Sequence, residues 1–257
     1  MCIISLAACD PARRIIKEYA VHHDTAAILI YPPDYLYRTN NRNVFIEHYD
    51  SLSQDQKDSA LFYNSLFVQH LSDSICLSNF VNGFAEELSD NGFRVFLPEQ
   101  FEEFLSFKGT GYLLNFAQLE IAEFDYKIWP MYEVEGYGDS YTTNGVDIKN
   151  WIEFSVRDDT SKMKVFFNKC SYEDRIALKV GVTEESSIGF INGVDFLTLE
   201  KIYSAFSSSA SNTVQLFSDY ILNKYLEQTL KKKPSRFYFF YSQNRKIKKY
   251  GKKLVEM

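Results

Sequence analysis

Few residues in this chain of 257 sit at spacings that chemistry uses. The best carboxylate candidates are Glu120 and Glu123, with Gln118 beside the first. A glycosidase needs two carboxyl groups flanking one bond, whereas residues three apart on a strand point to opposite faces. The pair therefore reads as charges on a half-exposed sheet. Between Trp129 and Thr142, the rings of Trp129, Tyr132, Tyr137 and Tyr141 are interspersed with Glu133, Glu135 and Asp139. Rings that stack on a sugar while acids bind its hydroxyls would make a ligand site, and this loop is where one would be sought; a hairpin tip packed by its own aromatics is the commoner arrangement. His22-His23-Asp24 has the residue types of a metal or acid–base site, but adjacent side chains diverge, and a solvated linker is expected there. His48 and His70 are isolated. No GxSxG elbow, Walker loop, HExxH or GxGxxG is present, so no catalytic residue, cofactor or metal is assigned, and an enzyme is the less favoured class.

Aromatic residues are abundant, with 22 Phe, 18 Tyr and 2 Trp, and they imply a Phe-rich core edged by Tyr. The net charge of -6 is uneven: Lys231 to Lys253 contains ten basic residues and no acid, leaving an acidic body and a basic end. An acidic body repels nucleic acid, which excludes it as the main partner. The basic end would be drawn to anionic lipid head groups or to an acidic protein face, or would remain a solvated tail.

The opening residues form a short apolar run that ends in Leu6-Ala7-Ala8-Cys9. These four resemble the lipobox of bacterial prolipoproteins. That resemblance implies cleavage before Cys9, acylation of Cys9 (palmitate among the chains), and a cell-envelope location, with the outer membrane favoured and the domain in the periplasm or at the surface. Residues 1–8 would then be a discarded signal peptide. No basic residue precedes the run, so a start codon further upstream is expected; the competing reading is a buried first strand with Cys9 an ordinary thiol. Several acyl chains would hold the protein permanently. With Cys2 removed and Cys9 acylated, Cys76 and Cys170 remain, read as two buried free thiols with one disulfide as the alternative; they lack zinc-site spacing.

The elements that must carry these residues follow from periodicity. Asp10 to Asp24 is polar with scattered apolar residues and is expected to be a tether. Thr25 to Tyr31, closed by Pro32-Pro33, predicts a buried strand, Asp34 to Asp55 an exposed connection, and Lys57 to Leu71 a helix. Leu77, Phe80, Val81, Phe84 and Leu88 then mark a helix, with Ser72 or Asp73 as its cap and Gly92 at its stop. Phe93 to Leu97 follows as a strand, completing a strand–helix–strand crossover, and a short helix is expected between Glu99 and Phe107.

The period then changes. Gly111 to Ile128 reads as a long strand with Leu113, Ala117, Leu119 and Ile121 on one face and Gln118, Glu120 and Phe124 on the other. In Val146 to Val156, Ile148, Ile152, Phe154 and Val156 share one face, while Lys149, Trp151, Glu153 and Ser155 share the other. Met163, Val165 and Phe167 repeat the alternation, giving antiparallel neighbours with one wet face. Thr198 caps a helix that Ser207 to Ser211 interrupts, a longer helix runs from Asn212 towards Pro234, and Phe237 to Tyr241 is a last strand or docking segment.

The expected fold class is α+β: a mixed, mainly antiparallel sheet with an opening strand–helix–strand unit, flanked by helices. The organisation is signal peptide 1–8, tether 9–24, one domain 25–241 and a basic tail 242–257. Two function classes remain open. One is a membrane-anchored lipoprotein with a non-enzymatic assembly or partner-binding role, whose partners would be the lipid bilayer through Cys9 and an envelope protein. The other is a glycan-binding or glycan-cleaving lipoprotein using loop 129–142.

Overall fold

A computed structural model describes residues 11–22, 26–128, 141–182, 187–230, 237–241 and 246–250. The chain has an α+β fold. Its elements are α1 (Pro11–His22), β1 (Ala26–Tyr31), β2 (Leu36–Asn40), α2 (Gln54–Tyr63), α3 (Asp73–Asp90), β3 (Arg94–Phe96), α4 (Phe101–Ser106), β4 (Thr110–Ile128), β5 (Tyr141–Val156), β6 (Asp159–Glu173), β7 (Arg175–Val182), β8 (Ser187–Asp195), α5 (Leu199–Leu230), β9 (Phe237–Tyr241) and β10 (Lys246–Tyr250).

The main sheet runs β3-β1-β4-β5-β6, with β2 also paired to β4. β1 lies parallel to β3 and β4, and β2 parallel to β4, while β4, β5 and β6 form an antiparallel meander. The expected crossover is present: β1 and β3 are parallel neighbours, and the connection between them, which also holds β2 and α2, returns to β3 through α3. Its apolar stripe of Cys76, Phe80, Phe84 and Leu88 is fully buried against the sheet's inner face. Gly92 ends the helix at φ 85, a left-handed turn that a side chain would strain. Ser72 stands at the N-cap without a side-chain capping bond; Arg38 instead fixes the helix entry, donating to the carbonyls of Val68 and Leu71 at 2.7 and 2.8 Å and pairing with Asp73.

β1 is buried on both faces because helices cover both. Ile28 and Ile30 meet α3 and α5 on the inner side, and Ala27 and Leu29 pack under Phe104 of α4 with Phe96 on the outer side. α4 covers only that edge of the outer face.

Five expectations are corrected. The first concerns the tether, much of which is helical: in α1, Ala12, Ile15 and Ile16 are buried against Leu222 and Leu226 of α5 and Tyr238 of β9, with Tyr19 packed alongside. Four apolar positions at i, i+3, i+4 and i+7 suffice for one stripe even though the segment as a whole is polar. The second concerns 34–55, where the exposed connection contains β2. The third is the helix expected over Lys57 to Leu71, which ends at Tyr63 and is followed by a short 3-10 turn at Val68–His70.

The fourth concerns α5, which runs unbroken through the serine run for 32 residues. Tertiary packing overrides the weak helix propensity of serine. The small side chains let α5 approach α3 so closely that a Cβ added to Gly83 would lie 3.0 Å from the Ser207 Cα. The Ser207 hydroxyl donates to the Asn79 carbonyl at 3.0 Å, tying the crossing together. The fifth is the tail, part of which is strand β10, antiparallel to β9. Asn223 on α5 docks this hairpin by pairing both backbone groups of Tyr238, donating to its carbonyl at 2.7 Å and accepting its N–H at 3.0 Å.

Candidate functional site

The antiparallel half of the sheet has one covered face and one open face. Its sidedness is set by a bulge in β4. Phe116 pairs Ile152 and Gln118 pairs Trp151, leaving Ala117 unpaired. Before the bulge Leu114 and Phe116 face the core; after it Leu119, Ile121 and Glu123 do. Leu113 and Ala117 therefore do not share the face of Leu119 and Ile121, contrary to a strict alternation. In β6, Phe166 packs against the core, and Met163, Val165 and Phe167 turn outward with exposures of 55%, 38% and 37%. Val156 is likewise exposed rather than inward.

On the open face, register brings aromatic and polar groups into rows. Trp151 pairs Phe167, their rings 4.8 Å apart. In the next row the Asn115 amide donates to Glu153 at 2.9 Å. On the other side, Glu120 accepts from Lys149 at 3.0 Å and from the Thr39 hydroxyl at 3.1 Å, and Asp147 pairs Lys169 at 2.7 Å. A shallow groove lined by Tyr31, Leu113, Asn115, Glu153 and Met163 continues this surface towards β1. The half-buried Trp151 and exposed Phe167 rings offer stacking area, and the preset amide–carboxylate and lysine–carboxylate pairs offer hydrogen bonds to a polar ligand.

Glu120 and Glu123 point to opposite faces, as expected, and so do not flank one bond. Glu123 is not a half-exposed charge, however. It is fully buried and accepts the N–H groups of Leu66, Phe67 and Val68 at 2.7, 2.8 and 3.2 Å, with the Arg42 guanidinium 3.5 Å away. Arg42 also donates to the Asn144 side chain at 3.2 Å; Asn144 N–H donates to Asp174, which accepts the Leu197 N–H at 2.7 Å. This network ties three loops to the β4–β5 end of the sheet, a fixing role.

Of the sequence-predicted site residues, Cys9, Trp129, Tyr132 and Tyr137 lie outside the described residues, as do His23 and Asp24. Tyr141 opens β5 opposite Ile128, and burial with the nearby Asp174 carboxylate raises its hydroxyl above the ordinary tyrosine range. It stands ten residues from Trp151, or about 33 Å along an extended strand, so the loop's rim and the open face are separate places. Trp151 was legible as a wet-face residue, but its partner Phe167 was not, since the pairing register is needed to set them side by side. His48 takes a left-handed backbone at φ 56, and His70 ends the 3-10 turn. Among the described residues no cluster of three His, Cys, Asp or Glu could hold a metal, and no helix is long and apolar enough to cross a membrane.

Cys76 and Cys170 are free thiols, the first buried on α3 and the second half-buried on β6. Burial pushes the Cys76 thiol up to about 12, with Arg38 opposing part of the rise. Its contribution to stability is complete below the ordinary value of 9.0 and is lost as pH rises from there towards about 12. Iodoacetamide at about pH 8 should therefore label the peptide carrying Cys170 in the native protein and spare Cys76 until urea is added. Native-state labelling of Cys76 at the rate of Cys170, read by mass spectrometry, would contradict the burial argument.

No protein-family model and no curated protein matches the chain. Among solved structures it is similar to a neuraminyllactose-binding hemagglutinin homolog from Helicobacter pylori, at 12% identity and a TM-score of 0.28, covering 81% of this chain and 91% of that one. A superposition that loose transfers no role.

Proposed function

We propose that the chain is a lipid-anchored envelope protein, acylated at Cys9, that acts by binding a partner rather than by catalysis. The observation that carries the binding role is the open face of β4, β5 and β6, where apolar side chains remain outward next to paired polar groups. The anchor rests on Leu6-Ala7-Ala8-Cys9 and its likeness to the lipobox. Expression of the gene with a labelled fatty acid tests it: label on wild type and none on Cys9→Ala is the expected result, and label on both or on neither sinks the anchor.

A glycan is the second reading for the partner, favoured by the Trp151–Phe167 pair beside the Asn115–Glu153 hydrogen bond. Loop 129–142, with Trp129, Tyr132, Tyr137 and Tyr141, is the other place a sugar would bind. Glycan retention that is lost in Trp151→Ala and kept in Trp129→Ala assigns the ligand to the open face; the reverse assigns it to the loop. No retention by the wild type leaves a protein partner, to be captured by cross-linking from the open face.

A further inference from the structure

We infer that α1 and the β9–β10 hairpin form a second surface, distinct from the open sheet face, that lies against anionic phospholipid head groups and orients the domain on its bilayer. This deepens the lipid-anchored reading and rests on it. Three observations converge. The first is placement: Ala12, Ile15 and Ile16 of α1, Tyr238 of β9 and Ile247 of β10 meet in one apolar cluster with Leu222 and Leu226 of α5. Helix and hairpin therefore sit side by side at one end of α5.

The second is charge. The solvent side of α1 exposes Arg13, Arg14 and Lys17, with Glu18 as the acid on that side, paired to Arg14 at 3.5 Å. In the hairpin Lys248 is exposed and lies opposite Phe239, and the half-buried rings of Phe237 and Phe239 are 5.3 Å apart. Lys224 of α5, close by in the chain, is offset by Glu227 at 3.5 Å. Basic side chains beside half-buried aromatic rings are the composition that suits the head-group layer. The protein carries a net charge of -6, so this basic end stands out against an acidic body.

The third is reach. Cys9 stands two positions before Pro11, so a lipid on it begins no more than about 7 Å of chain from α1. A domain held that short cannot avoid the bilayer surface, and the part nearest to it is the basic one. The open sheet face lies on the far side of the sheet from α5, whose end carries α1 and the hairpin, so the two surfaces are distinct.

The test uses the full chain carrying Cys9→Ala, so that no acyl chain contributes, and vesicles of phosphatidylcholine alone or mixed equally with phosphatidylglycerol. Co-sedimentation with the mixed vesicles only, weakened by added salt, is expected. Each basic residue near such a surface strengthens binding roughly fivefold, so Arg13→Glu/Arg14→Glu/Lys17→Glu should weaken it more than tenfold without lowering the melting temperature. Equal binding to both vesicles, no binding to either, binding unchanged in the triple variant, or tighter binding to single-stranded RNA than to the mixed vesicles would each overturn the inference. Because the assay protein has no acylation site, its outcome is independent of the fatty-acid labelling of wild type, and the two readings can fail separately.

Discussion

Glu123→Ala should lower the unfolding free energy by about 3–5 kcal/mol, the cost of breaking a buried charged network from one side. The carboxylate holds three successive N–H groups, from Leu66, Phe67 and Val68, which the chain turns inward where the 3-10 turn at Val68–His70 begins. Alanine supplies no acceptor to these donors, and both Glu123 and Val68 beside it are fully buried. Each stranded donor costs about 1–3 kcal/mol, and Arg42 loses its carboxylate as well. Glu123→Gln keeps one oxygen but turns an amide NH2 towards a group that is itself a donor, so a loss of about half that size is expected. Urea unfolding with an unchanged slope is the measurement. A shift of less than about 1 kcal/mol for Glu123→Ala would mean that the loop finds other acceptors.

The second large effect is expected at Gly83. Its Cβ position is 3.0 Å from Ser207 Cα and 3.1 Å from Ser207 Cβ, so the obstacle is the backbone of α5 rather than a movable side-chain end. Gly83→Leu must separate α3 from α5 and disturb the packing of Phe80 and Phe84 on Phe116, whose rings are 5.2 and 4.9 Å from it. Overpacking of this kind costs about 1–3 kcal/mol and sometimes more. Gly83→Ala sets the same contact against the better helix propensity of alanine, about 1 kcal/mol, and should be only mildly destabilising. Ser207→Gly should rescue Gly83→Leu poorly, because the nearest atom, the α-carbon, stays. Full rescue would show that the serine side chain is what sets the helix separation.

The difference between what the sequence made legible and what it hid is one of range. α3 could be read because its stripe, its stop at Gly92 and the strand beyond lie within about twenty residues, and the strand–helix–strand unit followed from them. The alternation of β5 was readable for the same reason. Contacts made from far along the chain were not. Nothing within the serine run announces that a glycine more than a hundred residues earlier will accept it. Likewise, Glu123 looks like any strand carboxylate until the loop at Leu66 to Val68 is folded over it. α1 was hidden because its four apolar residues have value only once α5 and β9 supply the surface they bury. The open face was half legible: Trp151 fell on the wet side of an alternating strand, but the outward turn of Met163, Val165 and Phe167 depends on how β6 registers against β5. Loop 129–142 and Cys9 remain sequence expectations.

The unpaired Ala117 has a consequence for how this strand tolerates gain and loss of residues. Ala117 is the odd residue in a stretch that otherwise alternates, with Leu114 and Phe116 inward before it and Leu119, Ile121 and Glu123 inward after it. Deleting it leaves Phe116 next to Gln118, and every residue from Leu114 to Glu123 keeps the face it already occupies. The same deletion between Ile148 and Ile152 of β5, where no bulge absorbs the change, would turn one flank of that strand inside out. Ala117 is thus a one-residue insertion that the sheet has accommodated, and a point where chain length can vary without rewriting which side chains face the core.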